Sequence, residues 1–464
     1  MARLTAVVVF PTPPFPEPTA TDRLRISPSH CLKSLLSGII PDIIIVKNMV
    51  FQEPILSRYG RYLIILLIFS ALAGCSRDRT GSETPLQIYS RLWTPLREQT
   101  FIREELKRFY SETGIETELL LYTDTDMDRM AESGELSEAD LIIFYGNRLA
   151  SLADAIDFVD LREQSKLFED RTFLFKHLGT ERKDTWEYFL PLGADVYLLI
   201  ASREAASARP VGADGENITW PQVAEWIQRA SRQQGRGLLA VTGVPNKSLV
   251  YFMAGPILSY GGGFPDLTSE AALEALRLLQ GMRWVFHPLI ENFDTVIDPL
   301  VDGSAWFAFA HCAHAGSILQ ESPGNFDVYP APSGPAGMGS VSGFSAVGIP
   351  GGTKNAKAAL ALVEYLTRPE VQARISKGVG GFIPTVLEAS DYLGEEPLAR
   401  VIRYGLHVLD SGRTREIPLE YGEWGNVKHV YESVFFSTVL SGRNISVDSL
   451  KWAQTELDKL KTSQ

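Results

Sequence analysis

"VSGFSAVGIPGGTKNAKAALALVEYLTRPEVQARISKGVGGFIPT", Val341 to Thr385, is the stretch on which the fold reading turns. Its "IPGGTKN" is a turn signal, with a proline and two adjacent glycines that end any regular element. "NAKAALALVEYLTRPEVQARIS" then reads as helix, late in the chain. The glycine cluster "GVGGF" carries little meaning alone, since a phosphate loop needs a fixed spacing and a lysine.

The same alternation of strand and helix runs through the preceding residues. "LQIYS" is a short β-rich run, and "EQTFIREELKRFYSETG" follows it as a helix with Phe101, Leu106 and Phe109 on one face and Gly114 as C-cap. "IETELLLY" and "ADLIIFYG" read as two more strands, the second almost wholly apolar and therefore central. Downstream, "ITWPQVAEWIQRASRQQG" is a Thr-capped helix ended by glycine, "GLLAVTG" a buried strand, and "TSEAALEALRLLQGMRW" another capped amphipathic helix. "VDSLKWAQTELDKLK" closes the chain as helix. Together these predict an α/β fold with a mainly parallel sheet.

Composition narrows the function. At 464 residues the chain is long enough for two or three cores. Asp and Glu outnumber Lys and Arg by 56 to 44, a balance opposed to nucleic-acid binding, which needs a basic face. With three cysteines, Cys31, Cys75 and Cys312, neither a disulfide framework nor a multi-cysteine zinc site is expected. No nucleophile elbow, Walker loop, dinucleotide fingerprint or H-E-x-x-H motif occurs. No catalytic residues, metal site or cofactor are therefore assigned. "HCAH", His311 to His314, is the one metal-like cluster, and it lacks a second cluster to complete a coordination shell. Metal binding, ligand contact and plain packing all remain open for it.

The N-terminal part reads as an export signal. Arg58 and Arg61 precede an apolar run from Leu63 to Leu72, which is too short to span a bilayer but right for a signal core. "LAGC" ends it at Cys75 and resembles the lipobox of bacterial lipoproteins, in which that cysteine is lipidated. Residues 49–74 are thus the expected signal peptide, and 75–85 a lipidated cysteine with a flexible tether. Residues 1–48, proline-rich and without helical period, are expected to be a spurious or disordered extension. These features place the body outside the cytoplasm, held to a membrane by its lipid.

Taken with five other blocks, Val341–Thr385 is similar to the signature region of family 1 extracellular solute-binding proteins, the sugar-type, maltose-binding-protein-like receptors of ABC importers. "ADLIIFYGNRLASLADAIDFVDL", "FLPLGADVYLLIASREA", "ITWPQVAEWIQRA", "LSYGGGFPD" and "SVDSLKWAQTELDKL" agree in order and spacing, so the resemblance spans Leu86 to Leu460. It implies a two-lobe, type II Venus-flytrap fold with discontinuous lobes and a hinge. Residues 86–192 and 341–385 would form lobe 1, and 196–337 and 386–464 lobe 2. It also implies a non-enzymatic monomer that captures a carbohydrate, an oligosaccharide or related polyol, between its lobes. That ligand would pass to ABC permease subunits, whose ATPase lies on a separate chain. A non-sugar solute, a sensory receptor and a surface lipoprotein enzyme are the alternatives.

The resemblance also carries candidate ligand contacts. In "FYGNRL", Phe144, Asn147 and Arg148 stand where the maltodextrin branch has an aromatic residue, an acid and an arginine; the acid is an amide here. Asp195 in "PLGAD" matches an acidic contact at the lobe crossover. Trp424 stands at a stacking tryptophan, Trp93 in the first cleft-facing loop, and Tyr251 more loosely at an aromatic contact. "AWFAFAHCAHAG" departs from the family pattern. Either Trp306 compensates from another register, with His311 at the site, or the cleft takes something other than a typical glucoside.

Overall fold

The computed structural model describes residues 84–174, 188–213, 215–418, 420–421 and 424–461. The expected extension, signal peptide and lipidated Cys75 lie outside the described residues.

Two sheets organise the body. Strands β1 (Leu86–Ser90), β2 (Thr117–Leu121), β3 (Leu141–Tyr145) and β4 (Phe189–Asp195) belong to the first. Strands β5 (Tyr197–Ser202), β6 (Leu239–Ala240), β7 (Phe307–His311) and β8 (Phe326–Tyr329) form the second, in the order β6-β7-β5-β8. A small ladder of β9 (Ser333–Gly334) and β10 (Gly337–Met338) follows. The chain then returns to the first sheet as β11 (Ser340–Gly348), and β12 (Thr414–Glu416) joins it there. The first sheet runs β12-β11-β3-β1-β2, with β4 also paired to β11. Each sheet is covered by helices, giving two α/β lobes.

Local chemistry explains these elements. Strand β3 lies between β1 and β11, and its first four residues are buried, as an unbroken apolar run requires. The helix Leu96–Thr113 turns Ile102, Leu106 and Phe109 inward and ends at Gly114, whose φ of 74° lies in the left-handed region that favours glycine. Thr219 and Gln222 form a reciprocal capping box on the helix Trp220–Gln234. That helix buries Trp220 and Trp226 in the second lobe, where Trp220 stacks on Phe309 at 4.9 Å.

The mainly parallel sheet expected from the sequence is corrected to two mixed sheets. Strands β1, β2 and β3 are parallel, but β11 runs antiparallel to β3 and β4. In the second sheet β5 is antiparallel to both β7 and β8. The cause is topological. Strand β11 enters the first sheet from the other lobe, so it arrives in the opposite direction to strands that follow βαβ connections.

The lobes are joined most tightly at Val196, the single residue between β4 and β5. Its carbonyl accepts the Cys312 N–H at 3.1 Å, while the Tyr197 N–H donates to Ser340 Oγ at 3.1 Å. Three chain segments therefore converge where one sheet hands over to the other. Nearby, Ser259 Oγ accepts from Trp220 Nε1 at 3.1 Å and from Gly339 N at 2.8 Å, and donates to the Gly255 carbonyl at 2.9 Å. This buried hydroxyl ties the entry to β11 to the second lobe. Among the described residues no helix is long and apolar enough to cross a membrane.

Ser259→Ala is expected to lower stability by about 2–4 kcal/mol, because it leaves two buried N–H donors without an acceptor. Urea denaturation measures this, and an unchanged midpoint would contradict the assigned network.

Candidate functional site

The candidate site follows from the strand directions. Tyr145 ends β3, Asp195 ends β4 and His311 ends β7, while Trp93 lies just beyond β1. In open α/β sheets the carboxyl ends of strands are where ligands bind. These four residues line one cleft of about 320 Å³, with Phe344 of β11 and Phe382 completing its aromatic walls. That volume falls at the lower end of small-molecule sites, on the order of 300–1,000 Å³. A recess of about 160 Å³ adjoins it, sharing Tyr145, Gly343 and Phe344 and adding Asn147, Ser342 and Glu416. A groove of about 400 Å³ also exists at Pro85, Arg103 and Tyr110, but it is shallow and belongs to the first lobe alone. The cleft at Asp195 is the better candidate because both lobes wall it.

Backbone details bring the rings together. Ser90 Oγ accepts the Leu92 N–H at 3.0 Å and bends the chain after β1. Trp93 then adopts a φ of 63°, unusual for a bulky residue and costing on the order of 1–3 kcal/mol. Phe344 lies over Gly146 and Phe382 over Gly193; a Cβ on either glycine would come within 2.3 Å and 1.6 Å of the rings. Those glycines exist to let phenyl groups rest on the backbone.

A polar network backs the aromatic walls. Asp195 Oδ1 accepts the Cys312 N–H at 2.8 Å, and Oδ2 lies 3.3 Å from His311 Nδ1. That second approach is out of line, so Nδ1 has no hydrogen-bond partner among the described residues. The other ring nitrogen, Nε2, sits 3.0 Å from the Tyr197 hydroxyl. Burial pushes the Tyr197 phenol well above its ordinary value, so it stays protonated. Beyond it, Trp424 Nε1 donates to Tyr251 Oη at 2.9 Å, and the Tyr251 ring stands 6.0 Å from that of His311.

Burial sets the remaining protonation states. It raises Glu98, with Arg97 opposing, and it alone pushes Glu416 up to about 8. His314 is lowered by burial and then by His311, so it is neutral at ordinary pH. The Cys312 thiol is raised by burial and by Asp195, which makes it a poor nucleophile. Among the described residues no group of three or more acids, histidines and cysteines is arranged to hold a metal ion.

Of the residues singled out from the sequence, the fold brings Asp195 and His311 into the main cleft and Asn147 into the adjoining recess, while Trp93 borders the cleft but is 5% exposed and packed mostly in the first lobe's core. Tyr251 and Trp424 form the half-buried pair behind His311. Three fall elsewhere. Phe144 is 1% exposed and packs against Phe189 at 5.3 Å. Strand side chains alternate, so its neighbour Tyr145, 40% exposed, takes the cleft position instead. Arg148 is ion-paired with Asp128. Trp306 is packed in the core of the second lobe. Sequence reading missed Glu98, Tyr145, Phe344, Phe382 and Glu416; only the period-two phase of "LIIFYG" offered a signal, for Tyr145.

Comparison with known proteins fits this geometry. The sequence profile of a family described as bacterial extracellular solute-binding protein matches residues 106–399. No curated protein matches the chain. Among solved structures, the cyclic alpha-maltosyl-1,6-maltose binding protein from Arthrobacter globiformis is similar, at 14% identity and a TM-score of 0.66, covering 82% of this chain and 99% of that one. Maltose-bound MalE3 of T. maritima gives 19% identity and a TM-score of 0.62, over 81% and 99% of the two chains. UgpB from Mycobacterium tuberculosis, in complex with glycerophosphocholine, gives 19% and 0.61, over 82% and 99%. At these identities the likeness is one of fold.

Glu416 supplies a pH test. Its folded value of about 8 exceeds its ordinary 4.5, so between them the folded state holds more protons than the unfolded. Its contribution to stability is therefore full at low pH and is lost as pH rises through that window. Melting temperatures from about pH 5 to 9 should fall more steeply for the native chain than for Glu416→Gln. Parallel curves would mean the carboxyl is solvated.

Proposed function

We propose that this chain, which belongs to the bacterial extracellular solute-binding protein family, captures a carbohydrate in the cleft at Asp195 and delivers it to an ABC permease. The observation that carries this reading is the placement of aromatic rings beside a carboxylate where the two lobes meet. Pyranose rings present apolar faces that stack on Trp and Tyr, and hydroxyls that need acceptors such as Asp195. The similar structures include proteins named for binding maltose and a cyclic maltosyl-maltose, which supports a saccharide ligand.

Binding works through geometry. A solute touching Trp93 and Tyr145 on one side and His311 on the other stabilises the arrangement in which the lobes approach. The shift towards that closed state is limited by the ligand's differential affinity for it. Val196 and the antiparallel crossing into β11 are the expected hinge points, since they carry the chain between the sheets. On this reading the lobes comprise 86–192 with 341–385, and 196–337 with 386–464, except that β12 within the last range pairs into the first sheet. The closed monomer docks on the permease, and ATP is hydrolysed by a partner chain. Cys75, lipidated and left as the mature N-terminus when the signal peptide is removed, holds the receptor at the membrane on the extracytoplasmic side. Changing Cys75 to Ser should release the protein or leave it unprocessed, read by membrane fractionation; unchanged anchoring would make the apolar run a signal anchor.

A thermal-shift screen against mono- and oligosaccharides, polyols, amino acids and glycerophosphodiesters tests the ligand. A ligand binding only the folded state raises the melting temperature by mass action. One saccharide class is expected to give a dose-dependent rise. A rise only with non-sugars would redirect the reading to another solute. Tyr145→Ala removes an exposed ring without opening the core, so it should weaken the identified saccharide by about 1–2 kcal/mol, roughly tenfold, in calorimetric titration. Unchanged affinity would exclude Tyr145 from the contact surface.

A further inference from the structure

The cleft and its recess are lined by aromatic rings and by Glu98, Asp195 and Glu416, while no lysine or arginine lines either among the described residues. The described cations nearby have neighbours of their own. Arg91, whose guanidinium stands 5.4 Å from the Tyr145 ring, lies 3.0 Å from Asp124, although its Nε has no hydrogen-bond partner among the described residues. Arg148 pairs with Asp128, and Lys428 donates to the Asn246 carbonyl at 3.0 Å. His314 is neutral, as its burial dictates.

We propose that the cleft prefers a saccharide bearing a protonated amine and rejects phosphorylated or carboxylated ones, an inference that rests on the carbohydrate-binding reading above. Phosphate or carboxylate recognition needs several basic donors converging on the ligand, and the described lining offers His311 alone, with no lysine or arginine beside it. An ammonium group finds what it needs. The rings of Phe344 and Phe382, and the part of Tyr145 that Arg91 does not cover, offer π faces, which attract cations. Asp195 Oδ2 is not spent on a hydrogen bond to His311, the contact being out of line. Glu98 is half-buried in the cleft wall, with Arg97 its one charged neighbour of note. Glu416 has no charged neighbour to offset its burial, a cost that a cation beside it would relieve. Neutral sugars can use Asp195 and Glu98 as hydroxyl acceptors, but unlike an ammonium they give Glu416 no partner that would favour its ionised form.

The test is calorimetric titration of the full chain in mild detergent with matched sugars. Glucosamine, galactosamine, chitosan oligosaccharides and acarbose are set against glucose, galactose, cellobiose oligosaccharides and maltotetraose, and against glucose 6-phosphate and glucuronate. At least one amine should bind tenfold or more tightly than its neutral counterpart, with the acids weakest. The ratio of amine to neutral-sugar affinity should shrink several-fold in Glu98→Gln, and again in 0.5 M salt. Circular dichroism confirms that the variant is folded, and Glu416→Gln serves as the second variant. Neutral sugars binding as tightly as the amines, or acids binding more tightly, would overturn the proposal while leaving the carbohydrate reading intact. Binding of none of these sugars would overturn both.

Discussion

Everything in this molecule depends on the passage from one sheet to the other through a single residue. Val196 separates β4 from β5, so the last side chain of the first sheet, Asp195, and the first of the second, Tyr197, are fixed within two residues of each other. Hydrogen bonds from Cys312 to the Val196 carbonyl and from Tyr197 to Ser340 pin two further segments to the same point. The junction thus holds Asp195, His311 and the start of β11 together before any ligand arrives. A binding site placed there senses both lobes, because its floor is the strand that joins them.

The cleft's other feature, its ring-lined wall, is built from backbone concessions. Trp93 takes a left-handed conformation, and Gly146 and Gly193 give up side chains so that Phe344 and Phe382 can lie on them. Such departures persist when the surrounding packing over-determines them. Helices with ordinary caps and buried apolar faces supply that packing, which is why the unusual conformations gather at the cleft.

The sequence was informative where one physical period dominated. "LIIFY" is apolar at its first four positions and became the buried strand β3; Gly114 and Gly235 both ended helices at positive φ. The helix starting after Thr219 was legible from its cap. Contacts between distant segments were not. Antiparallel entry of β11 depends on a return from the other lobe, which leaves no local trace. The choice between Phe144 and Tyr145 is a one-residue phase in a strand, decided by the partner strands. Glu416 reaches the recess only because β12 pairs with β11 from seventy residues further along. Trp306 looked like a cleft aromatic and is core, since the residue preceding a central strand is covered by helices in this lobe.

The central claim is that a saccharide sits between the lobes against Asp195. A crystal structure of the protein with the saccharide that raises its melting temperature tests this most directly. The account predicts a sugar ring against Trp93 and Tyr145, with a hydroxyl or amine on the Asp195 carboxylate. A sugar bound instead in the groove at Arg103 and Tyr110, with the cleft unoccupied, would contradict it.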